Sequence, residues 1–140
     1  MTKITLSYVQ IRAALPVLKR MQNLSMRATV SLIVARLGRI LNRHAMDSEE
    51  VRVGLMRKYA DEDDQGEPIQ VPVLDGDGKP VGNQMMFQIP DPGPLNIEWT
   101  EALQEKIVVE ITLLPLKELD SSDLELTPEE MMALEPLLKE

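Results

Sequence analysis

The chain has 140 residues with a net charge of −8, no cysteine, one histidine and four aromatic residues of the Phe, Tyr and Trp types. That length suits one domain burying roughly two-thirds of its unfolded surface, and the lack of cysteine excludes disulfides, thiolate nucleophiles and cysteine-bound zinc. The net charge hides a gradient: residues 1–60 hold eleven Lys or Arg against three acids, giving +8, and residues 61–140 hold four against twenty, giving −16.

Residues 1–7 contain no apolar run of signal-peptide length, so a cytosolic protein is expected. Residues 3–6 read as a short strand. Ser7 with Gln10 three places on has the form of a capping box opening a helix through Val9, Ile11, Leu15, Leu18 and Met21. Pro16 falls inside that pattern and predicts a break near Leu15, giving two short pieces.

Residues 26–59 are the segment about which the remainder is arranged. Val30, Ile33, Val34, Leu37, Ile40, Leu41, Val51, Leu55 and Tyr59 recur at steps of three and four, one face of a helix that Ser25 can cap. Asp47-Ser48-Glu49-Glu50 has the form of a second helix start. The segment is therefore either an αα-hairpin or one helix kinked there, and the absence of Gly and Pro between Gly38 and Gly54 favours continuity.

The acidic stretch 61–68 ends the helix in a turn. From Ile69 the period falls to two, and residues 69–74 and 81–89, joined by Asp75-Gly76-Asp77-Gly78-Lys79-Pro80, read as a β-hairpin with Pro72 on a sheet edge. Residues 90–94 make a stiff, proline-rich connector. Asn96 is expected to start a helix through Trp99, Leu103 and Ile107 with Trp99 buried. Residues 108–113 then form the best-buried strand, and 116–126 an acidic loop. The apolar run 107–116 falls well short of the ~20 residues needed to cross a bilayer. Thr127-Pro128-Glu129-Glu130 caps a short amphipathic helix carrying Met131, Leu134 and Leu138 on one face, with Pro136 limiting its length.

The sum is an α+β fold: long N-terminal helices packed on a small, mainly antiparallel sheet, closed by a short C-terminal helix. It is read as one domain, with a basic helical half (1–60), a hairpin, connector, helix and strand (61–126), and a terminal amphipathic helix (127–140).

No catalytic or cofactor motif emerges, and neither metal nor cofactor is expected. His44 lacks a nucleophile partner and sits where helix-end histidines are commonplace. Asp61, Asp63, Gln65 and Gly66 fit the first places of a calcium loop, but its twelfth place, which must supply a bidentate Glu, is Pro72. Arg36, Arg39 and Arg43 form a row on one side of the long helix that could follow a phosphate backbone. The scarcity of aromatics leaves no stacking platform, so the row is read as facing acidic protein and direct nucleic-acid binding is not expected. In the last helix Glu129, Glu130, Met131, Met132, Leu134 and Glu135 mix acid with adaptable apolar side chains. That combination suits either a partner's groove or closure of the protein's own core.

Several segments together carry a resemblance. They are Lys58-Tyr59-Ala60-Asp61-Glu62-Asp63-Asp64-Gln65-Gly66, a strand bearing Phe87, Val108-Val109-Glu110-Ile111, and above all Leu124-Glu125-Leu126-Thr127-Pro128-Glu129-Glu130-Met131-Met132-Ala133-Leu134-Glu135-Pro136-Leu137-Leu138. The chain resembles a family of small bacteriophage and prophage proteins without assigned function, from whose shorter linkage the turn at 75–82 and the proline-rich connector depart. The resemblance implies a phage origin and a non-enzymatic role in the host cytoplasm, and it supplies no active residues. With the charge division it leads to an expected regulator, an inhibitor or modulator of bacterial RNA polymerase, whose clefts accept polyanion-like partners. The alternative is a virion or head-tail assembly protein, for which a homo-oligomer is expected.

Overall fold

Ser7 and Gln10 fix the first turn. The Ser7 hydroxyl accepts the Gln10 N–H at 3.2 Å and the Gln10 side-chain oxygen accepts the Ser7 N–H at 2.9 Å, the expected capping box, so strand β1 (Thr2–Ser7) runs directly into helix α1 (Tyr8–Gln22). A computed structural model describes residues 1–120 and 125–139.

Pro16 does not split α1, contrary to the expectation. Its ring is exposed, while Leu15, Val17, Leu18 and Met21 around it are buried. The carbonyl deprived of a donor is that of Arg12, one turn back on the same face as exposed Pro16, so packing of the other face outweighs one missing bond.

Helix α2 is continuous from Ala28 to Tyr59. Ser25 does not cap it. Arg27 supplies the first helical acceptor, to the Ser31 N–H at 2.9 Å. The apparent second start at Asp47 is mid-helix because its side chains are engaged otherwise. The Ser48 hydroxyl, buried, donates to the Ala45 carbonyl at 2.6 Å and accepts Arg12 Nη1 at 3.0 Å, and Glu49 pairs with Arg52 one turn on.

The chain gathers into two compact units. Unit 1 is Met1–Ser48 with Leu103–Glu140, and unit 2 is Glu49–Ala102. In unit 1, β1 pairs antiparallel with β4 (Lys106–Ile111), Ile4 facing Val109 and Thr5 facing Val108. This strand is not buried throughout: Val109 and Ile111 are 3% and 0% exposed but Val108 is 66% exposed, since a two-stranded sheet covers only one face. Leu6, Val109 and Ile111 pack with Ile11, Leu18 and Met21 of α1 and with Val34, Leu37 and Leu41 of α2 in one core. The expected loop 116–126 instead begins with a helical turn, α4 (Leu116–Asp120), that buries Leu119; its residues 121–124 lie outside the described residues. A two-residue strand β5 (Leu114–Pro115) pairs in parallel with β6 (Leu138–Lys139), which follows helix α5 (Pro128–Leu134) and a 3-10 turn, Glu135–Leu137, containing Pro136. Leu138 thus lies in a strand and not on the helix face.

Unit 2 holds the last third of α2, from Glu49, the hairpin β2 (Gln70–Leu74) and β3 (Pro80–Phe87), and α3 (Gly93–Leu103) up to its last residue. The two turns before and within the hairpin are copies of one another. In each, an aspartate Oδ1, of Asp63 or Asp75, accepts backbone N–H groups two and four residues on at 2.9 and 3.0 Å. Gly66 or Gly78 then takes φ +78°, which an L side chain resists. A ring of backbone bonds joins the ends, Asp61 N–H to Gln88, Gln88 N–H to Ile69, and Ile69 N–H to Asp61.

Helix α3 starts at Gly93, not Asn96, because the Asp91 carboxylate accepts the Gly93 N–H at 3.1 Å and the Pro92 carbonyl accepts that of Asn96. It ends before Ile107, and no residue of it is buried. Trp99 is half-exposed, a correction to the expected buried stripe. The architecture is α+β with small antiparallel sheets and a short C-terminal helix, although the strands among the described residues form three separate two-stranded sheets.

Candidate functional site: three charged surfaces

The C-terminal segment offers six side chains suited either to a partner's groove or to the protein's own core, and unit 1 engages two of them in its own fold. The Thr127 hydroxyl accepts the Glu130 N–H at 3.1 Å, and Glu130 Oε1 accepts the Thr127 N–H at 3.0 Å, with Pro128 leading the helix. The same Glu130 carboxylate receives Arg20 from α1 on both oxygens. That hydrogen bond, helped by the Thr127 N–H and opposed by partial desolvation, holds the Glu130 carboxyl below the usual range and raises Arg20. Leu134 is 0% exposed and closes the core beside Leu137. Glu129, Met132 and Glu135 face outward at three-residue spacing, with Met131 half-buried behind them.

Arg36, Arg39 and Arg43 lie together on the exposed side of α2 within unit 1, opposite Val34, Leu37 and Leu41. None has an ion pair among the described residues. Exposed Leu32 and Met46 flank the row. At its edge a half-open recess of about 110 Å³ is walled by Ile33, Leu37, Ile40, Met1 and Thr112, with Arg36 and Arg39 completing the lining. His44 is half-buried on the same helix.

The third surface escaped the residue-by-residue reading. Unit 1 contains eleven acids and eleven bases and is neutral, whereas unit 2 contains twelve acids against four bases, a net −8. The basic start of the chain and its acidic end therefore neutralise each other inside unit 1, and the whole surplus sits on unit 2. Asp63 and Asp75 are occupied with their own backbone, while Glu62, Asp64, Glu67 and Asp77 project freely beside them. From Pro80 to Pro90 there is no charged residue at all, and Met85 and Met86 are each about half exposed. The signal was present as a twice-repeated Asp-x-x-Gly-x-Pro pattern, at 63–68 and 75–80, followed by that uncharged run.

Within unit 2, Lys58 Nζ donates to Glu98 Oε1 at 2.8 Å and lies 5.1 Å from the Tyr59 ring centroid, and Arg57 stacks over Phe87 at 5.6 Å. The Lys58 hydrogen bond, with a smaller contribution from Tyr59, lowers the Glu98 carboxyl, and Lys58 is raised in turn.

Among the described residues no group of three or more His, Asp or Glu is arranged to hold a metal ion, and no helix is long and apolar enough to cross a membrane. What the three surfaces offer is charge and exposed apolar side chains. No protein-family model matches the chain, and neither a curated protein nor a solved structure is significantly similar to it.

Proposed function

We propose that this chain is a non-catalytic binding protein whose unit 2 engages a positively charged surface of a host machine and thereby modulates it. Bacterial RNA polymerase, in the cytoplasm of a phage-infected cell, is the target that the family resemblance brings forward. The observation that carries the reading is the concentration of the entire −8 on unit 2, next to exposed Met85 and Met86. A surface of one sign accelerates encounter with a cationic channel and competes there with nucleic acid. Methionines without fixed partners then adapt to an irregular apolar contact.

The test is transcription by purified bacterial RNA polymerase with increasing amounts of the protein, at two ionic strengths. Inhibition that weakens with salt and is lost in an Asp64→Lys, Asp77→Lys double variant is the expected result. Those two side chains leave the turn hydrogen bonds of Asp63 and Asp75 in place. Unchanged transcription together with a discrete homo-oligomer in light scattering would overturn the proposal in favour of virion or head-tail assembly.

A further inference from the structure

The arginine row of unit 1 and the apolar recess beside it are two features that usually occur apart. Exposed arginines are ordinarily matched by nearby carboxylates, as Arg20 is by Glu130 and Arg52 by Glu49. Arg36, Arg39 and Arg43 are matched by none among the described residues, although Arg36 and Arg43 stand only seven residues apart, about 10 Å along the helix. Three like charges so close repel one another, a cost that an anionic ligand would remove.

The recess selects among anions. At about 110 Å³ it is smaller than a benzene-sized cavity and suits one aliphatic side chain. Its walls are Ile33, Leu37 and Ile40 with the methionine of position 1, and Thr112 is the one uncharged polar residue among them. A phosphate backbone has nothing to place in an apolar recess, and no aromatic ring lines it for a base to stack upon. Asp47, exposed farther along α2, would also repel a long polyanion tracking the helix. A fatty acid long enough to bind well would overfill the space and would use one arginine of three.

We infer that Arg36, Arg39 and Arg43, with the recess formed by Ile33, Leu37 and Ile40, are a docking site for an acidic peptide segment. That segment places one aliphatic side chain in the recess and carboxylates against the guanidinium groups. The planar guanidinium accepts a carboxylate through two parallel N–H donors, which gives the contact direction as well as attraction. The aliphatic anchor supplies the desolvated centre without which a rim of exposed ion pairs is worth little. The site lies wholly in unit 1, is opposite in sign to the surface of unit 2, and needs nothing from it.

The probe is a dye-labelled peptide, acetylated and amidated, with a single leucine between pairs of glutamates, titrated with the full chain by fluorescence anisotropy. Saturable binding is expected. It should weaken about tenfold or more when the peptide leucine is replaced by alanine, and by a similar factor in an Arg36→Glu, Arg39→Glu variant, whose exposed positions leave the core intact. Retained circular dichroism of the variant confirms that only the surface has changed. Failure of the peptide to bind, binding indifferent to either change, or tighter binding of a single-stranded DNA of equal charge would each overturn the assignment.

Discussion

Arg20 holds Glu130 through both carboxylate oxygens, Nε to Oε2 at 2.6 Å and Nη2 to Oε1 at 2.7 Å, and Nη2 also reaches the Glu125 carbonyl at 3.0 Å. One side chain near the end of α1 thereby ties down the start of α5, more than a hundred residues later. Because the folded protein holds the Glu130 carboxyl below its ordinary 4.5, the stability it contributes is complete above that pH and is lost as the pH falls through the lowered value. The raised pKa of Arg20 contributes stability that would be lost only at strongly alkaline pH. Urea midpoints followed by circular dichroism between about pH 3 and pH 6 should therefore fall toward acid. The fall should be shallower in Glu130→Gln, whose midpoint near neutrality is already lower. An identical slope in the two proteins would show that the pair does not link folding to protons. Glu98, lowered by Lys58, titrates in the same direction, so the comparison with the variant, and not the slope alone, isolates Glu130.

The outward face of α5 and its inward face predict opposite results. Leu134 is fully buried in the unit 1 core while Met132, two residues before it, is 72% exposed. Leu134→Ala should cost about 2–5 kcal/mol, the loss of a packed side chain plus the space it leaves. Met132→Ala should change stability by less than about 0.5 kcal/mol. Chemical denaturation of the two variants decides it. A large cost at Met132 would mean that the helix is packed the other way round.

How far the sequence revealed this arrangement follows from the range over which each signal acts. The capping boxes at Ser7–Gln10 and Thr127–Glu130 are closed by side chains three residues apart, and both are present where the sequence put them. The hairpin was legible in the period-two pattern and its Asp-Gly turn. Where competing local signals met tertiary packing, packing won. Pro16 is absorbed because Leu15, Val17 and Leu18 are buried around it, and the Asp47 start is overridden because Ser48 bonds to Arg12. The pairing of β1 with β4 joins residues a hundred apart, for which no local pattern exists. The charge partition was hidden for a related reason. The division between the units falls at Ser48, inside one continuous helix, where neither composition nor periodicity changes. At the candidate surfaces, the arginine row was readable from its spacing. The recess beside it requires Thr112 and Met1 to approach α2, which only the fold provides.

Glycines at three positions separate helix propensity from turn geometry. A Cβ at Gly54 of α2 would meet nothing within 4 Å, and one at Gly38 would meet only the mobile end of Gln22, at 2.7 Å from its Nε2. Gly54→Ala should stabilise the protein by about 1 kcal/mol, and Gly38→Ala by less, since Gln22 must swing aside. Gly78 has open space too, but its φ is +78°. Gly78→Ala should therefore destabilise by about 1 kcal/mol through backbone strain alone. Urea denaturation of the three variants gives the signs directly, and stabilisation at Gly78 would contradict the turn described for Asp75.

Hydrogen exchange should distinguish the two units. Ala60 is the one buried residue of unit 2 among the described residues, whereas unit 1 buries Ile11, Leu18, Met21, Val34, Leu41, Ile111 and Leu134 almost completely. Local opening is limited mainly by the apolar surface it exposes, so a unit with little buried surface opens with a smaller free-energy cost than the global transition. The amides of β2 and β3 should exchange through such openings, with protection that changes little at low denaturant. Those of α1 and the first half of α2 should exchange only with global unfolding. The hairpin is also where the exposed methionines and the surplus negative charge reside. A cationic partner covering Met85 and Met86 would therefore slow exchange at β3 by the fraction of time it is bound, while protection in α1 stayed unchanged. Equal protection of the two units in the free protein would mean that the bond network around Asp61, Ile69 and Gln88, and not buried apolar surface, sets the stability of unit 2.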